Sequence, residues 1–299
     1  AGPIGCELAQ AFKRLGSEVH LLEAMGQILI REDRDAAAVV EKAFVREGVV
    51  FSCNHDVARV ERRGAEKVVF TKCDCHPAGI AVDEILVGVG RAPNVEGLGL
   101  EEAGVAYTKT GVTVDDFLRT TNPAIYAAGD ICLGPKFTHT ADFAARIVIQ
   151  NALFFGRKRF SALTIPWCTY TDPEIAHVGL YEKEAQARGL KVRTFMLEMR
   201  DVDRAILDGE DEGFAKVLVE DGSDRIVGAT IVAAHAGDLI SEVSVAMNNG
   251  VGLAGIGATI HPYPTQAEAL RRLGDAYNRT RLTPLVRSLL GGWLAWTRR

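Results

Sequence analysis

The sequence lacks any apolar run near the ~20 residues that a membrane-crossing helix needs. It also lacks an excess of positive charge. Its 34 Lys and Arg stand against 39 Asp and Glu, for a formal net charge of −5, so nothing points to nucleic acid as a partner. Cysteine is sparse: Cys6, Cys53, Cys73, Cys75, Cys132 and Cys168, with no C-x-x-C or C-x-x-x-x-C pair among them. That pattern fits a reducing, cytoplasmic setting rather than a disulfide framework. Cys73-Asp74-Cys75-His76 has metal-ligating residue types, but a structural zinc site needs a second pair at suitable spacing and none follows. The run reads as a solvated loop, and no metal site is expected. No secretory signal is visible, which says nothing about the compartment, because the first residues already belong to a motif and the true N-terminus is expected to precede them.

What is present is ordinary for a globular protein: 299 residues, 47% hydrophobic and 24% charged, enough for two or three domains. The organising stretch is Ala1-Gly2-Pro3-Ile4-Gly5-Cys6-Glu7. It reads as a dinucleotide fingerprint G-x-G-x-x-G without its first glycine, with Gly2 placed for close approach of a pyrophosphate and Gly5 for helix–strand packing. The first glycine and its feeding strand would precede Ala1, so the chain is expected to be a fragment of a longer protein. Ile4, Leu8, Ala11, Phe12 and Leu15 recur at helical spacing, Gly16 ends that helix, and Val19 to Leu22 is a strand ending on Glu23. A carboxylate at that point accepts ribose hydroxyls and repels a 2′-phosphate, which favours NADH over NADPH. A second helix from Arg31 to Glu47 and a strand from Val49 to Ser52 continue a mononucleotide-binding run. Short alternating segments at Val57–Glu61, Lys67–Lys72 and Ile80–Ile85 predict an antiparallel meander.

An apolar strand ending in Val87-Gly88-Val89-Gly90 then leads to Arg91-Ala92-Pro93-Asn94. The glycines let a backbone approach a ligand. Arg91 is equally readable as a ligand contact or as a surface residue of a tight turn. Ile125 to Ala128 reads as a buried strand running into Gly129-Asp130, whose carboxylate is placed for the hydroxyls of a ribose or ribityl chain. Lys136-Phe137-Thr138-His139 follows, then a helix from Ala144 to Leu153 whose start offers free N–H groups to a phosphate or flavin. From Phe160 onward the pattern is α+β, with strands at 192–199, 214–219 and 226–232 and helices at 180–188 and 238–248.

With Tyr170-Thr171-Asp172-Pro173-Glu174-Ile175-Ala176 and His261-Pro262-Tyr263-Pro264-Thr265-Gln266-Ala267-Glu268, these motifs resemble, in family order, the class I pyridine nucleotide–disulfide oxidoreductases. The resemblance implies an α/β fold. Residues 1–90 would form a Rossmann-like NAD(P)-binding domain, 91–159 the second half of a FAD domain, 160–276 an α+β dimerisation domain, and 277–299 a basic amphipathic tail. It implies FAD and NAD(P)H as cofactors and a homodimer whose C-terminal loop enters the partner's active site. The cofactor-facing residues are then Gly2, Pro3, Ile4, Gly5, Glu7, Glu23, Val57, Gly90, Asp130, Lys136, Phe137, Thr138 and His139. Gly2, Gly5, Glu23 and Gly90 serve the nicotinamide nucleotide; Asp130 and 136–139 serve FAD. Glu7 takes the place of a Glu that pairs with a Lys beside the flavin. That Lys, the ADP half of the FAD site and the redox C-x-x-x-x-C would all lie N-terminal to this stretch, so the stretch alone is expected to be inactive.

The family's loop H-x-H-P-T-x-x-E supplies an acid–base His and a Glu that orients it. Here Tyr263 stands at that His, His261 keeps the earlier one, and Glu268 remains. A neutral Tyr, which ordinarily titrates near ~10 against ~6.5 for His, is a poor proton acceptor at neutral pH. Tyr at this position is similar to mercuric reductases, whereas no cysteine follows Cys168 to act as their C-terminal vicinal pair. Expected catalytic residues are therefore Tyr263, Glu268 and Glu7, with a thiol-bound metal such as Hg(II) or a small disulfide as substrate. Alternatives are a dihydrolipoyl dehydrogenase-like disulfide reductase, or a flavoprotein scaffold held to membranes by its tail. That tail combines leucines, tryptophans and arginines, and suits either a membrane surface or docking on its own dimer.

Overall fold

The structure is a computed structural model and describes residues 1–73 and 78–298. The described chain divides into two compact units, residues 1–88 with 166–299 and residues 89–165. Of the Cys73–His76 run, Asp74, Cys75 and His76 lie outside the described residues.

The first unit opens with α1 (Pro3–Arg14), β1 (His20–Leu22), α2 (Arg34–Glu47) and β2 (Val50–Ser52). Pro3 suits the first helical position because its φ is preset and it has no N–H to satisfy there. Lys13 and Arg14 in the last turn complement the helix dipole. Gly5, Cys6, Ala9 and Gln10 form the buried face of α1; Ala36, Ala37, Val40, Ala43 and Phe44 form that of α2. Strands β1 and β2 pair in parallel, Leu21 opposite Phe51, as a mononucleotide-binding run requires. Helix α2 begins three positions later than its sequence pattern suggests. Glu32 is buried by contacts distant in sequence and lies before the helix, and Asp33 takes the N-cap position. The meander β3 (Val57–Arg63), β4 (Glu66–Thr71) and β5 (Ile80–Val82) is antiparallel, as expected.

Residues 84–88 do not form the expected strand. A strand exists only with a hydrogen-bonding neighbour, and this segment has none among the described residues; Val87 is 74% exposed.

The second unit is sparse in regular structure: a β-hairpin of β6 (Tyr107–Thr108) and β7 (Gly111–Val112), then α3 (Thr138–Leu153). The buried strand expected at Ile125–Ala128 is a half-buried segment held by a single bridge between Arg119 and Tyr126. Helix α3 starts at Thr138, ahead of the Ala144 expected from apolar spacing. Its early turns carry polar residues that hide the helical period.

The rest of the first unit is an antiparallel five-stranded sheet, order β10-β11-β12-β9-β8. In chain order its elements are β8 (Pro166–Thr169), β9 (Glu174–Gly179), α4 (Glu182–Ala187), β10 (Val192–Glu198), α5 (Asp203–Asp208), β11 (Phe214–Glu220) and β12 (Ile226–Ala233). Four helices follow: α6 (Ala236–Asn248), α7 (Leu253–Ala258), α8 (Glu268–Thr280) and α9 (Pro284–Thr297). Strand β12 is buried along its whole length. Side chains alternate with the pleat. Ala215, Val217, Val219, Ala229 and Ile231 pack with α6, α7 and α8, whereas Phe214 and Val232 share a core with α1 and α2. Each such fully buried Val or Ile contributes about 1.5–3 kcal/mol. Strands β8 and β9 escape a pattern reading because β9 carries His177, which is wholly buried. Its Nε2–H donates to the carbonyl of Gly179 (3.2 Å), and Nδ1 accepts from the Thr230 hydroxyl (2.8 Å).

Candidate functional site

The expected site residues fall into three groups. The first surrounds the start of α1. Gly2 is the extended N-cap of α1. The first-turn N–H groups have no intrahelical acceptor, so this end of the helix presents backbone donors. Gly5 is buried and faces Gly88: a Cβ on Gly88 would lie 3.5 Å from the Gly5 Cα. The glycines of two motifs thus bring segment 84–88 against the helix. Ile4 is half exposed, and Val57 opens β3 with 44% exposure. Glu23 stands just beyond β1 and accepts the Met25 N–H at 3.0 Å. The Glu7 carboxylate accepts the backbone N–H of Tyr170 at 2.9 Å, tying α1 to the loop after β8.

The second group lies within residues 89–165 and joins three separate motifs. Arg91 Nη1 is 3.1 Å from Asp130 Oδ2 and 3.3 Å from the Lys136 carbonyl oxygen, and Lys136 Nζ donates to the Arg91 carbonyl at 2.7 Å. Arg91 thus stands against the acid of the Gly-Asp turn. Gly90 has φ +117°, a conformation that side chains resist. A Cβ on Gly129 would come within 3.3 Å of the Ala141 Cβ, so the Gly129-Asp130 turn abuts the first turn of α3. Phe137 is the N-cap of α3, Thr138 its first residue, and the Phe137 and His139 rings stack 5.2 Å apart. In the next position Thr140 Oγ1 is buried with no hydrogen-bond partner. A buried hydroxyl without a partner is costly. Together with the glycine-tight turn and the open helix N-terminus, it fits a site that receives a polar, anionic cofactor such as FAD.

The third group is the loop before α8. The Tyr263 hydroxyl donates to Asp203 Oδ2 at 2.6 Å, which pushes the tyrosine pKa up and leaves it a neutral hydrogen-bond donor. Glu268 pairs with Arg271 (2.8 Å), so position 263 is oriented by Asp203, a residue that no sequence motif singles out. His261 has both ring nitrogens engaged, Nε2 with Glu242 at 2.8 Å and Nδ1 with the Thr259 carbonyl at 2.9 Å. No signal within a single sequence marks Asp203, because its tie to Tyr263 is tertiary.

Four of the cysteines are not activated. Burial pushes Cys6 up to about 12 and Cys132 up to about 11, and it raises Cys168 and Cys53 as well. None of these four is poised as a thiolate nucleophile. Among the described residues no cluster of three or more His, Cys, Asp or Glu is arranged for a metal, and no helix is long and apolar enough to cross a membrane.

Fold and site together define a nicotinamide- and flavin-type nucleotide-binding protein joined to an α+β interface domain. Comparison with known proteins agrees. Residues 1–145 match the pyridine nucleotide-disulphide oxidoreductase family, and residues 165–273 match the dimerisation domain of that family. The chain belongs to the class I pyridine nucleotide–disulfide oxidoreductases, a family that uses FAD and NAD(P)H. It is 35% identical over 272 residues to a mercuric reductase of Lysinibacillus sphaericus, covering 91% of this chain and 50% of that protein. It is 36% identical over 281 residues to a dihydrolipoyl dehydrogenase of Thermus scotoductus, covering 93% and 60%. Among solved structures it resembles the HOCl-induced flavoprotein disulfide reductase RclA from Escherichia coli, with a TM-score of 0.85 and 29% identity, covering 92% of this chain and 62% of that one. The chain thus spans half to three fifths of these relatives.

Proposed function

We propose that this chain supplies the nicotinamide-binding region (1–90), the second half of the flavin-binding region (91–159) and the subunit interface (160–276) of a homodimeric FAD- and NAD(P)H-dependent oxidoreductase. The observation that carries this reading is the convergence of Arg91, Asp130 and Lys136, from three motifs, at a turn abutting α3. Bound flavin supplies two-electron transfer between a nicotinamide and an external acceptor. The protein's part is binding and orientation. Gly2 and Gly5 admit the pyrophosphate to the start of α1, and Glu23 accepts ribose hydroxyls, favouring NADH. Asp130, braced by Arg91, accepts the hydroxyl hydrogens of the flavin's sugar chain. Tyr263, a neutral donor fixed by Asp203, shapes the acceptor site together with Glu268.

The acceptor that best suits a tyrosine in place of a base is a thiol-bound metal such as Hg(II), since delivery to a metal places less demand on a thiol base. The level of identity to a dihydrolipoyl dehydrogenase sustains a second reading, reduction of a small disulfide. NADH and NADPH oxidation by the complete gene product separates them, with Hg(II) plus excess thiol, lipoamide or glutathione disulfide as acceptor. Hg(II)-dependent turnover supports the first reading; turnover with lipoamide alone supports the second and rejects the first.

A further inference from the structure

Helix α9 is thinly covered: none of its fourteen residues is buried. Leu285, Leu289, Leu290, Trp293, Leu294 and Trp296 are between 40% and 74% exposed. At about 100° per residue these side chains fall on roughly half of the helix circumference. Arg287, Ser288, Gly291, Ala295 and Arg298 occupy the other half. The helix is independently capped: Pro284 sits in its first turn, and Thr283 accepts the Val286 N–H at 3.3 Å. Its amphipathic form is therefore locally encoded.

Charge says what this face suits. From Ala276 to Arg299 there are five arginines (279, 281, 287, 298 and 299) and no Asp or Glu, within a chain whose net charge is −5. Setting those five positive charges aside leaves −10 on the remainder. Two tryptophans on the apolar arc, cations on the polar arc and no acid at all describe a helix that lies in a membrane interface with its rings at headgroup level. We propose that α9 is an in-plane anchor for bilayers carrying anionic lipid, with the apolar arc immersed and the arginines paired to headgroup phosphates.

The test is vesicle co-sedimentation of the complete gene product. Vesicles of phosphatidylcholine with a quarter phosphatidylglycerol are compared with pure phosphatidylcholine, at low and high salt. Intrinsic fluorescence gives a second readout. The part of a vesicle-induced blue shift that is lost when Trp293 and Trp296 are replaced by Gln reports these two rings. Binding is expected to be about tenfold or more tighter on anionic vesicles and to weaken with salt. It should fall about tenfold in a Trp293→Gln/Trp296→Gln variant, whose unburied positions leave the fold intact. Binding that ignores lipid charge, or that survives the double substitution, overturns the proposal. So does a change in sedimentation coefficient on substitution without vesicle binding, which would assign the helix to a second copy of the chain.

Discussion

The Arg91 guanidinium lies 3.1 Å from the Asp130 carboxylate, joining the Gly-Arg-Ala-Pro turn to the Gly-Asp turn in a small, loop-rich unit. Both side chains are substantially exposed, so the pair itself stabilises the fold little. Its value is directional: it sets where the carboxylate points. Asp130→Ala should leave the melting temperature nearly unchanged, within about 0.5 kcal/mol of stability. It should weaken flavin retention about ten- to hundredfold, through the loss of charge-assisted hydrogen bonds. Flavin absorbance after gel filtration reads the second effect and differential scanning calorimetry the first.

At Gly90 the backbone has φ +117°, far outside the ordinary range of residues with a Cβ. No atom within 4 Å would meet an added methyl group, so the cost of Gly90→Ala is backbone strain alone. That cost is expected to be about 1–3 kcal/mol, measured as a shift in urea midpoint.

Acid sensitivity should centre on His177. The ring is buried between Trp167 and Tyr181, and burial, reinforced by the Lys216 charge, pushes its pKa down to about 3 from 6.5. A depressed folded-state pKa on a base means that the unfolded chain takes up the proton first. Stability is complete above about pH 6.5 and falls as pH drops toward about 3. The loss reaches about 3 kcal/mol by about pH 4. His177→Gln should flatten this slope in denaturant titrations across the same window, at the expense of some stability at neutral pH.

Tyr263→His restores a base where the family has one, with Asp203 available to orient it. Turnover of a small disulfide by the complete gene product should rise about tenfold or more, since a positioned general base is worth roughly 10²–10⁴ in rate. Tyr263→Phe should show no such gain.

Much of this was legible in sequence because helices and caps are local. The starts and stops of α1, the parallel β1–β2 pair and the meander follow from period, glycine and proline alone. Of two segments read as strands, 84–88 has no ladder partner among the described residues and 125–128 has a single bridge, because pairing is set by tertiary neighbours. Glu32 has the sequence context of an ordinary helix opener. It is buried because Trp167 Nε1 donates to it at 2.9 Å and the Tyr181 hydroxyl donates to its other oxygen, contacts more than a hundred residues away. The motifs of the site are visible one by one. The contacts of Arg91 with Asp130 and Lys136, and the hydrogen bond from Tyr263 to Asp203, are tertiary facts.

Anaerobic titration of the complete gene product with NADH and NADPH, following visible flavin absorbance, decides whether these residues serve a flavin reduced by a nicotinamide. The expected result is about one bound flavin per chain, bleached by stoichiometric reduced nicotinamide, with NADH acting at the lower concentration. A protein that takes up no flavin on reconstitution, or whose bound flavin neither nucleotide reduces, would have to be read as something other than a nicotinamide-driven flavoenzyme.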